Sequence, residues 1–481
     1  MNKKNMKSKT TQLLILLTIV LQSCSKTNYL ENSILLYGES DDKSLVRFNF
    51  KEQLNNLGHL AEPWATNTYN GKGSFWVDKN TFQKQDSLIN SRGSVYVSKT
   101  DITNNMLLYL DYGDKELLPV TEELYIEKLI NTARYTPITL LYHFKNNKKN
   151  IEFSSTDKQV IYTLNIDEYP IQLFINKSNN LVDKITYLSD DELYGDITTS
   201  FMYSSYIKSE FYIYPAHIKI EKINGKVIDI VEILTSTIDN QVKLLEKPKE
   251  KEVTKIKTIK YNDYIHFIDL EHTNDRVMVV ELDDYILVAE APINSKNGEL
   301  IISEVKKIAP SKPIKYFVFG HHHPHYLGGL RAFVHKEATI LCTDISKNYV
   351  EYIAEAPHTL TPDSLQLEKK KLKTQVITDS LVLGTNKKME IYFIGNKSAH
   401  TKDYLIYYFP SDKLLFQDDL CWIPNEGAIT KAGNRQLGLY NAIIELNLNV
   451  ETIIQSWPVK NHKVKTVIPF TDLEKSILIE K

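Results

Sequence analysis

One ten-residue stretch limits what this chain can be more than any other. Tyr316–Phe319 is fully apolar and reads as a buried strand, and Gly320 ends it. Four histidines then follow within five positions: His321, His322, His323 and His325. Imidazole is the commonest metal ligand, and alternate residues of an extended loop aim two rings in one direction. Spacing alone therefore marks a candidate metal loop. The plainer alternative is a histidine-rich loop that takes up metal adventitiously.

The stretch continues through Pro324-His325-Tyr326-Leu327-Gly328-Gly329, and here it resembles the metallo-β-lactamase superfamily, whose His-x-His-x-Asp-His-x-Gly-Gly pattern closes a strand. Aligned on Gly328-Gly329, the first two motif histidines fall on His321 and His323. The family's later histidine is matched by His400, in Ser398-Ala-His400-Thr401, and its bridging aspartate by Asp419, in Leu414-Leu-Phe-Gln-Asp-Asp419. Glu290-Ala-Pro292 adds to the match. The resemblance covers residues 253–481 and implies an α/β (α+β) fold with a C-terminal αββα sandwich. It also implies a ligand set: His321, His323 and His400 for one ion, and Asp419 among the ligands of a second.

Three positions depart from the pattern. His325 stands in place of the motif aspartate, Tyr326 in place of the third motif histidine, and Thr471 in place of the final histidine. A hydroxyl or a neutral phenol is a poor zinc ligand. One ion is therefore expected, zinc before other divalent metals. Three neutral imidazoles leave a tetrahedral zinc one open position, enough to bring the pKa of a water to about 7. The candidate catalytic residues are His325 and Asp419. His325 is read either as a base or as a fourth ligand that closes the site. Asp419 is read as orienting water or a ligand histidine. His322 is expected to turn away and Tyr326 to fill the vacated space. Cys342 and Cys421 are expected to be inert core thiols. His462 is a lesser candidate for the lost ligand.

The amino-terminal end carries an address. Lys3, Lys4, Lys7 and Lys9 precede the apolar run Leu13–Leu21, which is far short of the about 20 residues a spanning helix needs. Leu21-Gln22-Ser23-Cys24 follows and resembles the lipobox of bacterial lipoprotein signals. That resemblance implies cleavage after residue 23, lipidation at Cys24 and a place in the cell envelope held to the membrane by acyl chains. Ser25 lacks the aspartate of inner-membrane retention, which points to the outer membrane. Residues 24–45 are then a lipidated tether.

Residues 46–245 read as a β-rich domain. Short alternating segments such as Ser94–Ser98, Val160–Asn165 and Ile171–Asn176 recur between turn signals, and the chain's 29 tyrosines favour strands. Gly195, Tyr214-Pro215 and Gly225 lie in a stretch similar to the half-barrel of outer-membrane lipoprotein carriers. One helix is expected within Leu117–Ala133. The charge run at 241–260 marks the domain boundary. Beyond it, helices are expected at Gly298–Ala309, Gly329–His335, Ser346–Ala354, Asn441–Leu446 and Val450–Ser456, and a last strand at Val464–Ile468. A net charge of −2 offers no basic field to collect nucleic acid, and three cysteines cannot build a disulfide framework. Two functions stay open. One is an envelope hydrolase whose hydroxide, on a mononuclear metal, attacks an ester, amide or phosphoester of a small or envelope-derived substrate. The other is a non-catalytic binding protein whose β domain holds a lipid or glycan.

Overall fold

The computed structural model describes residues 29–38, 45–238 and 255–479, apart from 58, 105, 111, 113–116, 167–168, 210–211 and 461. Residues 1–23, read above as a signal segment, Cys24 and most of the charge run lie outside the described residues. The chain divides into two units. The first comprises 1–55, 68–189 and 197–251; the second comprises 252–481 with two excursions, 56–67 and 190–196.

In the first unit twelve strands form one sheet. Their order follows the chain except where the first, Val46–Asn56, pairs antiparallel with the last, Val227–Ile238. Arg134 bridges that junction from the inside, bonding Glu52 at 2.9 Å and Asp229 at 2.7 Å. The helix Glu122–Asn131 starts on Thr121, whose hydroxyl accepts from the Leu124 amide, and has two acids in its first turn and Lys128 in its last. It is shorter than the segment expected to hold it, and a second helix, Ile138–Asn146, follows. Both bury an apolar stripe (Ile126, Leu129, Ile130; Leu140, Leu141, Phe144) in one core with Phe48, Phe75, Leu173, Phe201 and Val231 of the sheet. Each such side chain contributes about 1.5–3 kcal/mol.

The second unit is layered α/β, in the order αββα. Its seven-stranded sheet runs from Ile256–Lys260 through Ile265–Leu270, Asp275–Glu281, Ile286–Ala289, Ile314–Val318 and Thr339–Cys342 to Lys373–Val376. The pairings are antiparallel up to Ile286–Ala289 and parallel from there on. Parallel neighbours need crossovers. The helices Ser295–Ile308, Leu330–His335 and Asp344–Glu355 supply them. The six-stranded sheet is Ser380–Leu383, Met389–Phe393, Leu405–Phe409, Leu414–Gln417, Thr452–Gln455 and Val467–Pro469. Met278, Leu287, Val318 and Leu341 of the first sheet meet Ile391, Tyr407, Phe416 and Ile454 of the second in one core. Helices Asn434–Glu445 and Phe470–Leu478 cover the outer face of the second sheet through Leu439, Ala442, Ile443 and Leu473.

Two expectations fail here. The segment read as a helix at Val450–Ser456 holds the strand Thr452–Gln455, which pairs parallel with Leu414–Gln417. Its β-branched Thr452, Ile453 and Ile454 suit a pleated buried surface better than a helix. After the last strand the chain also forms a helix, Phe470–Leu478, where none was expected.

Candidate metal centre

The loops that matter leave the carboxyl ends of parallel strands, where open α/β sheets expose their backbone to ligands. Glu290 follows Ile286–Ala289, His321 to His325 follow Ile314–Val318, and Asp418 and Asp419 follow Leu414–Gln417. His400 comes from the connection before Leu405–Phe409, just after Ala399 turns the chain at φ 52°. The Gly320 carbonyl accepts from the Leu405 amide at 2.7 Å and so ties the histidine loop to the second sheet. A Cβ on Gly320 would lie 2.2 Å from an Asp418 carboxylate oxygen, so only glycine lets that carboxylate reach the loop.

His321, His323 and His400 converge. One nitrogen from each lies within 4.8 Å of the other two, and the ring centroids are 4.4–4.9 Å apart. His321 and His323 are buried. That burial, and then the neighbouring rings, hold both well below their ordinary pKa, so both are neutral.

The hydrogen bonds assign the tautomers. His321 Nδ1 lies 2.6 Å from Asp418 Oδ2, and His323 Nε2 lies 3.1 Å from the Leu60 carbonyl. Both acceptors demand the proton on those nitrogens. The remaining nitrogens, His321 Nε2 and His323 Nδ1, then face each other as lone pairs 3.0 Å apart. His400 brings a third imidazole nitrogen within 4.8 Å of both, while its Nε2 is buried 3.2 Å from Asp419 Oδ2. Two lone pairs facing each other repel unless a cation lies between them, and His400 brings a third nitrogen to the same place. The donor set therefore fits a divalent metal that accepts nitrogen ligands, zinc included.

Around this group sits a shell of acids. Asp418 and Glu290 bond each other, and Glu290 also accepts from Tyr407 Oη at 3.0 Å and from the Gly320 amide at 3.1 Å. Burial pushes both carboxyls up, Glu290 to about 8, and the charge of Glu290 pushes Asp418 further, so the pair keeps a proton at neutral pH. Glu290 holds a left-handed φ of 74°, a strained backbone for a side-chain-bearing residue.

Asp419 lies outside the three-nitrogen group. Its Oδ2 is 3.2 Å from His400 Nε2 and 2.9 Å from Arg435 Nη1. Burial opposes ionisation, but His400 and Arg435 outweigh it and hold the carboxyl below its usual range. His325 also stands apart, with Nδ1 3.1 Å from Asp275 Oδ1. Burial disfavours its charge, and Asp275 more than restores it.

The remaining sequence candidates divide as follows. His322 turns away, its Nδ1 2.9 Å from Asp403 Oδ1 and its amide bonded to Asp403 Oδ2. Tyr326 is buried with its ring 4.4 Å from that of His321, and Tyr404 stacks on the same imidazole at 4.8 Å. Cys342 and Cys421 are buried free thiols, each pushed up to about 12 by burial. His462 packs against Trp422 and Trp457, and Thr471 is exposed on the last helix. Sequence reasoning missed Asp418, Asp275, Asp403, His59 and Leu60. Asp418 was discoverable, since it follows the same apolar strand as Asp419 and stands next to it. Leu60, 263 residues from its partner, left no signal.

No family model matches the chain, and no curated protein does. Among solved structures the chain is similar to a metallo-β-lactamase from Pontibacter korlensis, with 14% identity over 46% of this chain and 97% of that one and a TM-score of 0.33. It is also similar to the metallo-β-lactamase FIM-1 from Pseudomonas aeruginosa in its mono-zinc form, with 18% identity over 47% of this chain and 95% of that one and a TM-score of 0.34. The rubredoxin oxygen:oxidoreductase of Desulfovibrio gigas gives 13% identity over 46% of this chain and 61% of that one, with a TM-score of 0.34. Each of these matches covers just under half of this chain.

Proposed function

We propose that the second unit is a metal-dependent hydrolase with one divalent ion, zinc before others, held by His321, His323 and His400. The convergence of nitrogens from three imidazoles, two of which have their other nitrogens committed to acceptors, carries this reading. An ion held there supplies Lewis acidity that polarises an ester, amide or phosphoester and acidifies water. Asp418 and Leu60 orient two of the rings. Asp419 stays anionic beside His400 and can accept a hydrogen bond from a water at the site. His325, oriented through Nδ1 by Asp275, keeps Nε2 to take or give a proton. Metal analysis of the dialysed protein is expected to find about one zinc per chain, and an esterase and phosphodiesterase screen is expected to give turnover that a chelator abolishes. Metal-free protein after zinc loading would refute the reading.

A second reading is a binding protein without turnover. A cleft of about 570 Å³ on the first unit favours it, lined by Trp76, Arg47, Asn49 and Gln85, a combination that suits a glycan. One zinc per chain with no chelator-sensitive turnover would select it.

The same proposal places the mature chain in the cell envelope, outer membrane before inner, lipidated at Cys24. Among the described residues no helix is long and apolar enough to cross a membrane. Mass spectrometry of the mature amino terminus is expected to show a diacylated cysteine at position 24; an unmodified one rejects the anchor.

A further inference from the structure

His323 is held by a carbonyl that arrives from 263 residues away. Residues 56–67 lie in the chain between the strands Val46–Asn56 and Asn67–Val77, yet they belong to the second unit. Several contacts within that unit seat them. Trp64 meets Tyr349 and Tyr352 edge-on, with ring centroids 4.8 Å apart in each case. The Tyr349 hydroxyl bonds that of Tyr194 at 2.8 Å, so the second excursion braces the first. The Ala61 carbonyl accepts from the Lys402 amide at 2.8 Å, and Glu62 pairs with the Lys402 ammonium. Trp64 adopts a φ of 65°, which a bulky residue holds only where its surroundings over-determine it. At the tip of the segment, the His59 ring lies 5.2 Å from that of His323 and 6.2 Å from that of His325.

We infer that this segment is a strap that completes the metal centre, with the Leu60 carbonyl as the positioning group for His323. The inference rests on the three-histidine reading above. A ligand imidazole binds best when an acceptor takes its other N–H, because that bond fixes the ring's orientation and raises the basicity of the ligating nitrogen. Asp418 does this for His321. For His323 the acceptor is Leu60, and among the described residues none of 252–481 substitutes for it in the hydrogen bonds of its Nε2. The strap is held by both the backbone amide and the side chain of Lys402, two residues from His400, so it bears on two ligands at once. The metal site of the second unit therefore depends on residues that precede the first unit's second strand.

Two variants test this in the full chain. Trp64→Ala removes the anchor, and a chain in which Asn-Gly replaces residues 59–65 removes the strap while joining the flanking strands by a short hairpin turn. Zinc affinity is read by competition with a chromogenic chelator, and both variants are expected to bind about 10–100-fold more weakly than the unaltered chain. In metal-free protein labelled with ¹⁵N-histidine, His323 Nε2–H is expected as a slowly exchanging downfield proton, assigned by its loss in His323→Ala. It should vanish in the strapless chain while thermal melting stays cooperative. A change below about threefold in affinity with the proton retained would overturn the strap's role and leave the three-histidine site standing. Failure of the unaltered chain to bind zinc, with the proton present, would instead remove the metal reading.

Discussion

Replacing His321 by alanine is expected to take the protein from about one bound divalent ion per chain to none, and any chelator-sensitive turnover to background. The ring contributes one of the three converging nitrogens, its Nε2 lying 3.0 Å from His323 Nδ1. Two imidazoles that remain have no third partner, because Asp419 is engaged by Arg435 and His325 by Asp275. Asp418→Asn separates the ligand from its support. The amide oxygen can still accept from His321 Nδ1, but without the proton that the Glu290–Asp418 pair holds in common, so affinity should fall about 10–100-fold rather than vanish. Zinc titrations against a chelator, with melting curves to confirm folding, check both. One tightly held ion in His321→Ala would place the metal elsewhere.

Arg331→Met should cost about 3–5 kcal/mol of stability, read as a fall in the urea midpoint of the second unit's transition. This guanidinium is 2% exposed and all of its donor groups are engaged. Nε and Nη2 grip Asp363 at 2.6 and 2.9 Å, and Nη1 bonds the carbonyls of Ile353, Ala354 and Ala356 at 2.8–3.0 Å. Arg331 thus closes the end of the helix Asp344–Glu355 and fastens it to the helix that follows the histidine loop. Methionine fills a similar volume but leaves Asp363 and three carbonyls without their donor. The pH dependence follows from Asp363. Burial would raise its pKa, yet Arg331 brings it from 3.8 down to about 2. A carboxylate lowered on folding stabilises fully above its unfolded value and loses that contribution as pH falls through the folded one. The stability this carboxylate gives the unaltered chain should therefore be constant from neutral pH down to about pH 4 and be lost toward pH 2, while in the variant the unpaired buried carboxylate takes up its proton at higher pH. An unchanged midpoint at neutral pH would show that the network contributes nothing.

Local sequence was enough to place the histidine loop. An apolar strand, a glycine and closely spaced imidazoles are signals that lie within ten residues. The layered α/β arrangement of the second half was legible for a similar reason: alternating short apolar strands and amphipathic helices need parallel pairing with crossovers. Misreadings fell where pairing outweighed pattern. Thr452–Gln455 is too short for its period to distinguish strand from helix, and its partner Leu414–Gln417 settled the matter.

What the residues determined by themselves was which side chains can bind a metal; what only the tertiary structure decided was which of their nitrogens are free to. His322 and His323 are chemically identical neighbours, yet Asp403 claims one while the Leu60 carbonyl turns the other inward. Asp418 and Asp419 are likewise adjacent and alike, but one supports His321 and the other lies between His400 and Arg435. The reason is the range of the interactions. Period and propensity act over a few residues, whereas a hydrogen bond chooses its partner by proximity in space, and here those partners are separated by 81, 97 and 263 positions of chain.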